Sequence, residues 1–99
     1  MSGTPTTPTL DDIGRVLRPL LPPGYQALLF GSRATGEARP ASDWDIGILG
    51  REPVAGAVLE RLREALDTLP TLHTFEVVDL ASVPPAFREI ALHGAVRIA

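Results

Sequence analysis

The sequence predicts an α+β domain, a small mixed β-sheet with helices packed on one face. Three observations carry that expectation. Segments with helical spacing of apolar residues alternate along the chain with short apolar or alternating runs, a pattern that places helices against one sheet. Ninety-nine residues allow one domain, whose folding hides roughly two-thirds of the unfolded surface. Apolar residues at 44% and charged residues at 21% are ordinary globular values, which excludes a disordered or fibrous chain.

The elements follow in order. Residues 1–8 hold three Thr and two Pro and read as a flexible tail, leaving 9–99 as the folded domain. Thr9 with Asp12 matches a capping box, and Leu10, Ile13, Val16, Leu17 and Leu20 then recur at helical spacing. Pro19 ends that helix near Arg18. Pro22, Pro23 and Gly24 make a turn. Tyr25 to Phe30 is a mostly apolar run before Gly31 and predicts a buried strand. Gly31 to Ser42 is polar and dotted with Gly and Pro, a loop with room for one helical turn. Trp44 to Leu49 predicts a second strand, ended by Gly50. Pro53 opens a helix whose apolar face is Val54, Val58, Leu62, Leu66 and Leu69, closed by Pro70. Leu72 to Leu80 is rich in β-branched and aromatic residues and predicts a third strand. Ser82 with Pro84 and Pro85 starts a last helix carrying Phe87, Ile90 and Ala91, and Gly94 stops it. Val96 to Ile98 adds a short edge strand.

Charge and composition exclude several functions. The formal net charge is −3, which argues against sequence-independent nucleic-acid binding, since that depends on phosphate neutralisation. There are no cysteines, so disulfides, thiolate zinc sites and thiol nucleophiles are excluded. Residues 1–10 lack the basic and apolar regions of a secretory signal. No apolar run approaches the ~20 residues of a membrane span, so a soluble cytoplasmic domain without membrane contact is expected. All nine basic residues are Arg; any phosphate held here is held by Arg, backbone amides or metal.

One segment breaks the patterning. Gly31, Ser32 and Arg33 follow directly on a buried strand, and ten residues separate Ser32 from Asp43-Trp44-Asp45. Side chains alternate along a strand, so Asp43 and Asp45 project to one face while Trp44, Ile46 and Ile48 take the other. Like charges on one sheet face repel, and burial raises the cost. A cation relieves it, and hard oxygen ligands favour Mg²⁺ over zinc. In the third strand Glu76 lies between Phe75 and Val77, so it faces outward if they are buried. Asp79 faces the opposite way, and only one of the two can join the pair; alternation favours Glu76. Three carboxylates around two metals ~3.5–4 Å apart support in-line phosphoryl or nucleotidyl transfer. Gly31 lets backbone amides approach an anion and Ser32 adds a hydroxyl. Arg33 is placed to pair with phosphate oxygens, with Arg39 a second candidate.

Gly31-Ser32, ten residues, Asp43-x-Asp45 and a later strand carboxylate resemble the signature of the DNA polymerase β-type nucleotidyltransferase superfamily. The string GSRATGEARPASDWDIGIL, the short chain and the ending ALHGAVRIA are similar to the minimal nucleotidyltransferase (MNT) branch, over about Gly24 to Ile98. The resemblance implies a polymerase β-like fold in which Asp43 and Asp45 ligate two Mg²⁺ ions and Gly31 and Ser32 contact the triphosphate of ATP. Members of that branch are commonly antitoxins encoded beside a HEPN-domain ribonuclease toxin. The resemblance further implies AMP transfer from ATP to a tyrosine of that toxin (AMPylation), within a hetero-oligomer. One departure stands out: the third carboxylate of the family is usually Asp, and Glu76, one methylene longer, occupies the place here. A non-catalytic antitoxin that neutralises its partner by complex formation is the alternative reading. Elsewhere the expectations are ordinary. Trp44 and Tyr25 pack, His73 and His93 are structural or surface residues, and Arg61 and Arg63 share a solvated helix face with Glu60 and Glu64.

Overall fold

The computed structural model describes residues 7–39 and 42–99; the tail expected at 1–8 lies outside these apart from Thr7 and Pro8. Helix α1 spans Leu10–Leu17, with Thr9 and Asp12 forming the reciprocal capping box, and Pro19 turns its end into a 3₁₀ segment over Arg18–Leu20. Strand β1 covers Gln26–Phe30, the short helix α2 Ser32–Thr35, and strand β2 Trp44–Leu49. Helix α3 (Gly56–Leu66), strand β3 (Phe75–Asp79), helix α4 (Pro85–Leu92) and strand β4 (Val96–Arg97) follow.

The strand order is β3-β2-β1-β4. The β1/β2 and β1/β4 pairs are antiparallel, while β2/β3 is parallel and so needs the α3 crossover between its strands. Ile13 and Leu17 of α1 and Leu62 and Leu66 of α3 pack on one sheet face against Ala27, Leu29, Trp44, Ile46, Ile48 and Val77. The alternating residues Leu28 and Phe30 point to the other face and pack with Leu80 and Ala91. The expectation of helices on one face therefore holds for α1 and α3, and α4 departs from it by lying over the opposite face. Its Ala91 packs with Leu28, Phe30 and Leu80 there, and Phe87 meets Phe30 edge-on at 6.2 Å between centroids.

Two elements begin later than their sequence patterns suggest. Pro53 to Ala55 stays extended, because the Val54 N–H donates to the Asp79 carboxylate at 3.1 Å and Ala55 caps α3 with extended backbone. Leu72 is 85% exposed, and His73 N–H is taken by the Thr71 hydroxyl, so β3 starts only at Phe75. Among the described residues no helix is long and apolar enough to cross a membrane.

Candidate active site

The site grows from the end of β1. Phe30 is in register with Asp45 across the antiparallel pair, and the next residue, Gly31, has φ 76° and ψ −157°, a backbone region essentially closed to other residues. A side chain at Gly31 would also run into the Asp45 carboxylate, whose Cγ lies 3.2 Å from the position a Cβ would take. Glycine is thus required twice, by conformation and by the acid leaning over it. The chain then coils into α2, with Ala34 and Thr35 N–H donating to the Gly31 carbonyl at 3.1 and 3.3 Å. That turn sets Ser32 half-buried next to Gly31.

The parallel β2/β3 register aligns Trp44 with Phe75, Asp45 with Glu76 and Ile46 with Val77. Alternation sends Trp44, Ile46 and Val77 under the helices, where they are buried, and leaves Asp45 and Glu76 side by side on the opposite face. Asp43 shares that face two residues earlier, and its Oδ1 accepts the Thr74 hydroxyl. Trp44 N–H donates to the Thr74 carbonyl at 2.9 Å, closing the two strand entrances together. Asp45 is half-buried; Asp43 and Glu76 are exposed. Burial first, then the charges of Glu76 and Asp43, push the Asp45 carboxyl above its ordinary range. Asp45 therefore feels the charge of both neighbours, and the oxygen donors are those a hard divalent cation takes. As they stand, no three His, Asp or Glu side chains among the described residues converge to hold an ion. Asp43 and Glu76 are exposed and can turn, so the donor chemistry fits Mg²⁺ while the arrangement is open.

Other expected residues fall as follows. Asp79 does not face the pair: its carboxylate accepts Val54 N–H, Ala81 N–H and the Ser82 hydroxyl, capping the strand end. Arg33 donates from Nε and Nη2 to the Ser42 carbonyl and stands 4.6 Å over the Trp44 ring. Its guanidinium thus lies on the face of β2 away from the carboxylates. Arg39 is exposed in the loop, its N–H bonded to the Ser42 hydroxyl oxygen. His73 is structural, placed against Arg33 and Trp44, and Tyr25 packs over Gly50 with its hydroxyl on the Glu52 carbonyl. A shallow apolar cavity of about 180 Å³ opens beside Gly31, lined by Phe30, Phe87, Ile90 and Ala91.

The sequence profile described as "Polymerase beta, Nucleotidyltransferase" matches residues 25–98. The chain belongs to this nucleotidyltransferase family. Among curated proteins it is 36% identical over 70 residues to the "Probable protein adenylyltransferase MntA" of Haemophilus influenzae, covering 71% of this chain. The chain spans 61% of that relative's length. Two solved structures share the fold. One is a toxin–antitoxin with AMP-PNP (TM-score 0.66, 24% identity, 91% of this chain and 72% of that one). The other is a tri-AMPylated Shewanella oneidensis HEPN toxin in complex with MNT antitoxin (TM-score 0.59, 20% identity, 92% and 72%).

Two features of this nucleotidyltransferase domain escaped the sequence pattern. Thr74 is found once Asp45 is aligned with Glu76, because two steps back along each strand brings Asp43 opposite Thr74. Gly47 is the second. A Cβ there would meet Leu80 Cγ at 2.9 Å, so its bareness admits Leu80 to the sheet face beside the site.

Proposed function

We propose that this nucleotidyltransferase domain is a Mg²⁺-dependent protein adenylyltransferase that moves AMP from ATP to a hydroxyl, a tyrosine, of a partner HEPN-type toxin and so acts as its antitoxin. The observation that carries the reading is the placement of Asp43, Asp45 and Glu76 on one sheet face, with Gly31 under the Asp45 carboxylate. Gly31 and Ser32 receive the ATP phosphates through bare backbone and a hydroxyl. Asp43, Asp45 and Glu76 would hold two Mg²⁺ ions, which when bound neutralise charge on the attacking and leaving oxygens. The acceptor oxygen bonds to the α-phosphorus, the bond to the bridging oxygen breaks, and pyrophosphate leaves. Glu76, exposed at the edge of the trio, takes the hydroxyl proton. The names of the MntA relative and of the MNT complexes support the adenylyl group and the toxin partner. ATP as donor places the work in the cytoplasm.

A second reading has its own observation. Ile90 is 76% exposed and Phe87 44%, and with Val96 on the edge strand they offer a surface suited to neutralisation by docking alone. Incubating the protein and its HEPN partner with α-labelled ATP separates the two. Under the enzyme reading the wild type labels the toxin and Asp45→Asn binds it without labelling. Tight binding with no labelling by the wild type establishes the docking reading instead. Mg²⁺ with ATP also raises the melting temperature of the isolated domain under the enzyme reading, because a ligand of the folded state stabilises it by mass action.

A further inference from the structure

We infer that Arg33 is a positioning residue for Asp43 and not a phosphate ligand. Its consequence for catalysis rests on the adenylyl-transfer reading; its placement does not. The guanidinium makes a dense set of contacts. Nε and Nη2 donate to the Ser42 carbonyl at 3.1 and 2.9 Å, and Nη2 also reaches the Arg39 carbonyl at 3.4 Å. Nη2 lies 3.2 Å from His73 Nδ1, and Cζ stands 4.6 Å from the Trp44 ring centroid. The His73 ring meets Trp44 edge-on at 6.3 Å, and the residue after His73 is Thr74, whose hydroxyl binds Asp43. One cation therefore touches both chain entrances to the site, the loop running into β2 and the segment running into β3.

The Ser42 carbonyl has a particular significance. A peptide unit is planar, so a hand on that oxygen also fixes the plane of the Asp43 amide. Arg33 from one side and Thr74 from the other then limit where the Asp43 carboxylate can point. Trp44 lies under α1 and α3, so the guanidinium stacked on it sits across the sheet from Asp45 and Glu76. Reaching a phosphate on the carboxylate face would require leaving the ring and the carbonyls together. Lysine cannot reproduce this role, since it brings one ammonium where the contacts need a planar fork that bonds and stacks at once.

The test compares the wild type with Arg33→Lys and Arg33→Gln. In adenylyl transfer to the partner, both variants are expected to keep KM for ATP within about twofold while kcat falls about 10- to 100-fold. The Mg²⁺ concentration giving half-maximal rate should rise about tenfold, the usual size for groups that orient metal-holding side chains. A tenfold rise in KM for Arg33→Gln, restored by Arg33→Lys, with kcat and Mg²⁺ dependence unchanged, marks a phosphate contact and overturns the inference. Unchanged kinetics in both variants overturn it as well. Emission from Trp44, the one tryptophan, gives a reading that needs no turnover: it shifts in both variants if the guanidinium stacks on the ring, and an unshifted spectrum refutes the placement. A wild type that transfers nothing refutes the adenylyl-transfer reading by itself. Positioning is then read from Mg²⁺ alone raising the melting temperature of the wild type but not of Arg33→Gln; an equal rise in both, or none in either, overturns it.

Discussion

Replacing Gly31 with alanine isolates the contact on which the site geometry turns. The residue sits at φ 76°, ψ −157°, where a side chain costs about 1–3 kcal/mol of backbone strain. The added methyl also lands on the Asp45 carboxylate, with Asp45 Cγ at 3.2 Å, and turning that side-chain end off its rotamer costs about another 0.5–1.5 kcal/mol. Gly31→Ala should therefore lose about 1.5–4.5 kcal/mol in urea unfolding, read from the midpoint at unchanged slope. The two contributions separate in an Asp45→Ala background. Truncation removes the colliding oxygens and Cγ but leaves the backbone strain, so the same substitution should cost less there by about 0.5–1.5 kcal/mol, within the usual coupling between touching residues. Equal costs in the two backgrounds would show that the carboxylate does not lean over Gly31. A cost below about 0.5 kcal/mol in the wild-type background would refute the conformational requirement itself.

Three further outcomes follow from the same structure. Asp45 titrates above its ordinary 3.8, so its penalty is absent well below that pH, where folded and unfolded states both hold the proton, and grows as pH rises through the folded value. In metal-free buffer Asp45→Asn should thus be the more stable protein at neutral pH and lose that advantage in acid; an equal advantage at both, by urea midpoint, contradicts the charge cluster. Leu62 is fully buried between α3 and the sheet, and Leu62→Ala should cost about 2–5 kcal/mol, a large share of the ~5–15 kcal/mol that holds a domain together; a loss under 1 kcal/mol by calorimetry or denaturant would show a loose core. Thr74→Val removes the hydroxyl on Asp43 from an exposed position, and under the proposed adenylyl transfer should lower labelling of the acceptor protein about 10- to 100-fold with the melting temperature nearly unchanged; an unaltered rate would show that the hydroxyl does not orient Asp43.

What could be read in the sequence was what depends on neighbours along the chain. The Thr9–Asp12 cap of α1 is local, and so is the Pro19 stop. Alternation through Asp43-Trp44-Asp45 and Phe75-Glu76-Val77 sorts core from site, because burial of one face forces the other outward. The start of α3 was not legible, since Pro53 to Ala55 is held extended by Asp79 from a distant strand. Nor was the side taken by α4: its spacing shows a stripe and not which sheet face the stripe meets. Arg33 shows a related limit. Its neighbours in sequence are the phosphate-type turn, while its neighbours in space are a loop carbonyl, a histidine and an indole.

The parallel pairing of β2 with β3 also carries a schedule. Gly31 and Asp45 come from an antiparallel hairpin whose strands are close in sequence, and such contacts form early because little chain must be closed to make them. Glu76 arrives only when the α3 crossover has docked. A nascent or locally opened molecule is therefore expected to hold the glycine turn and both aspartates before Glu76 joins them, so that under the adenylyl-transfer reading competence comes last.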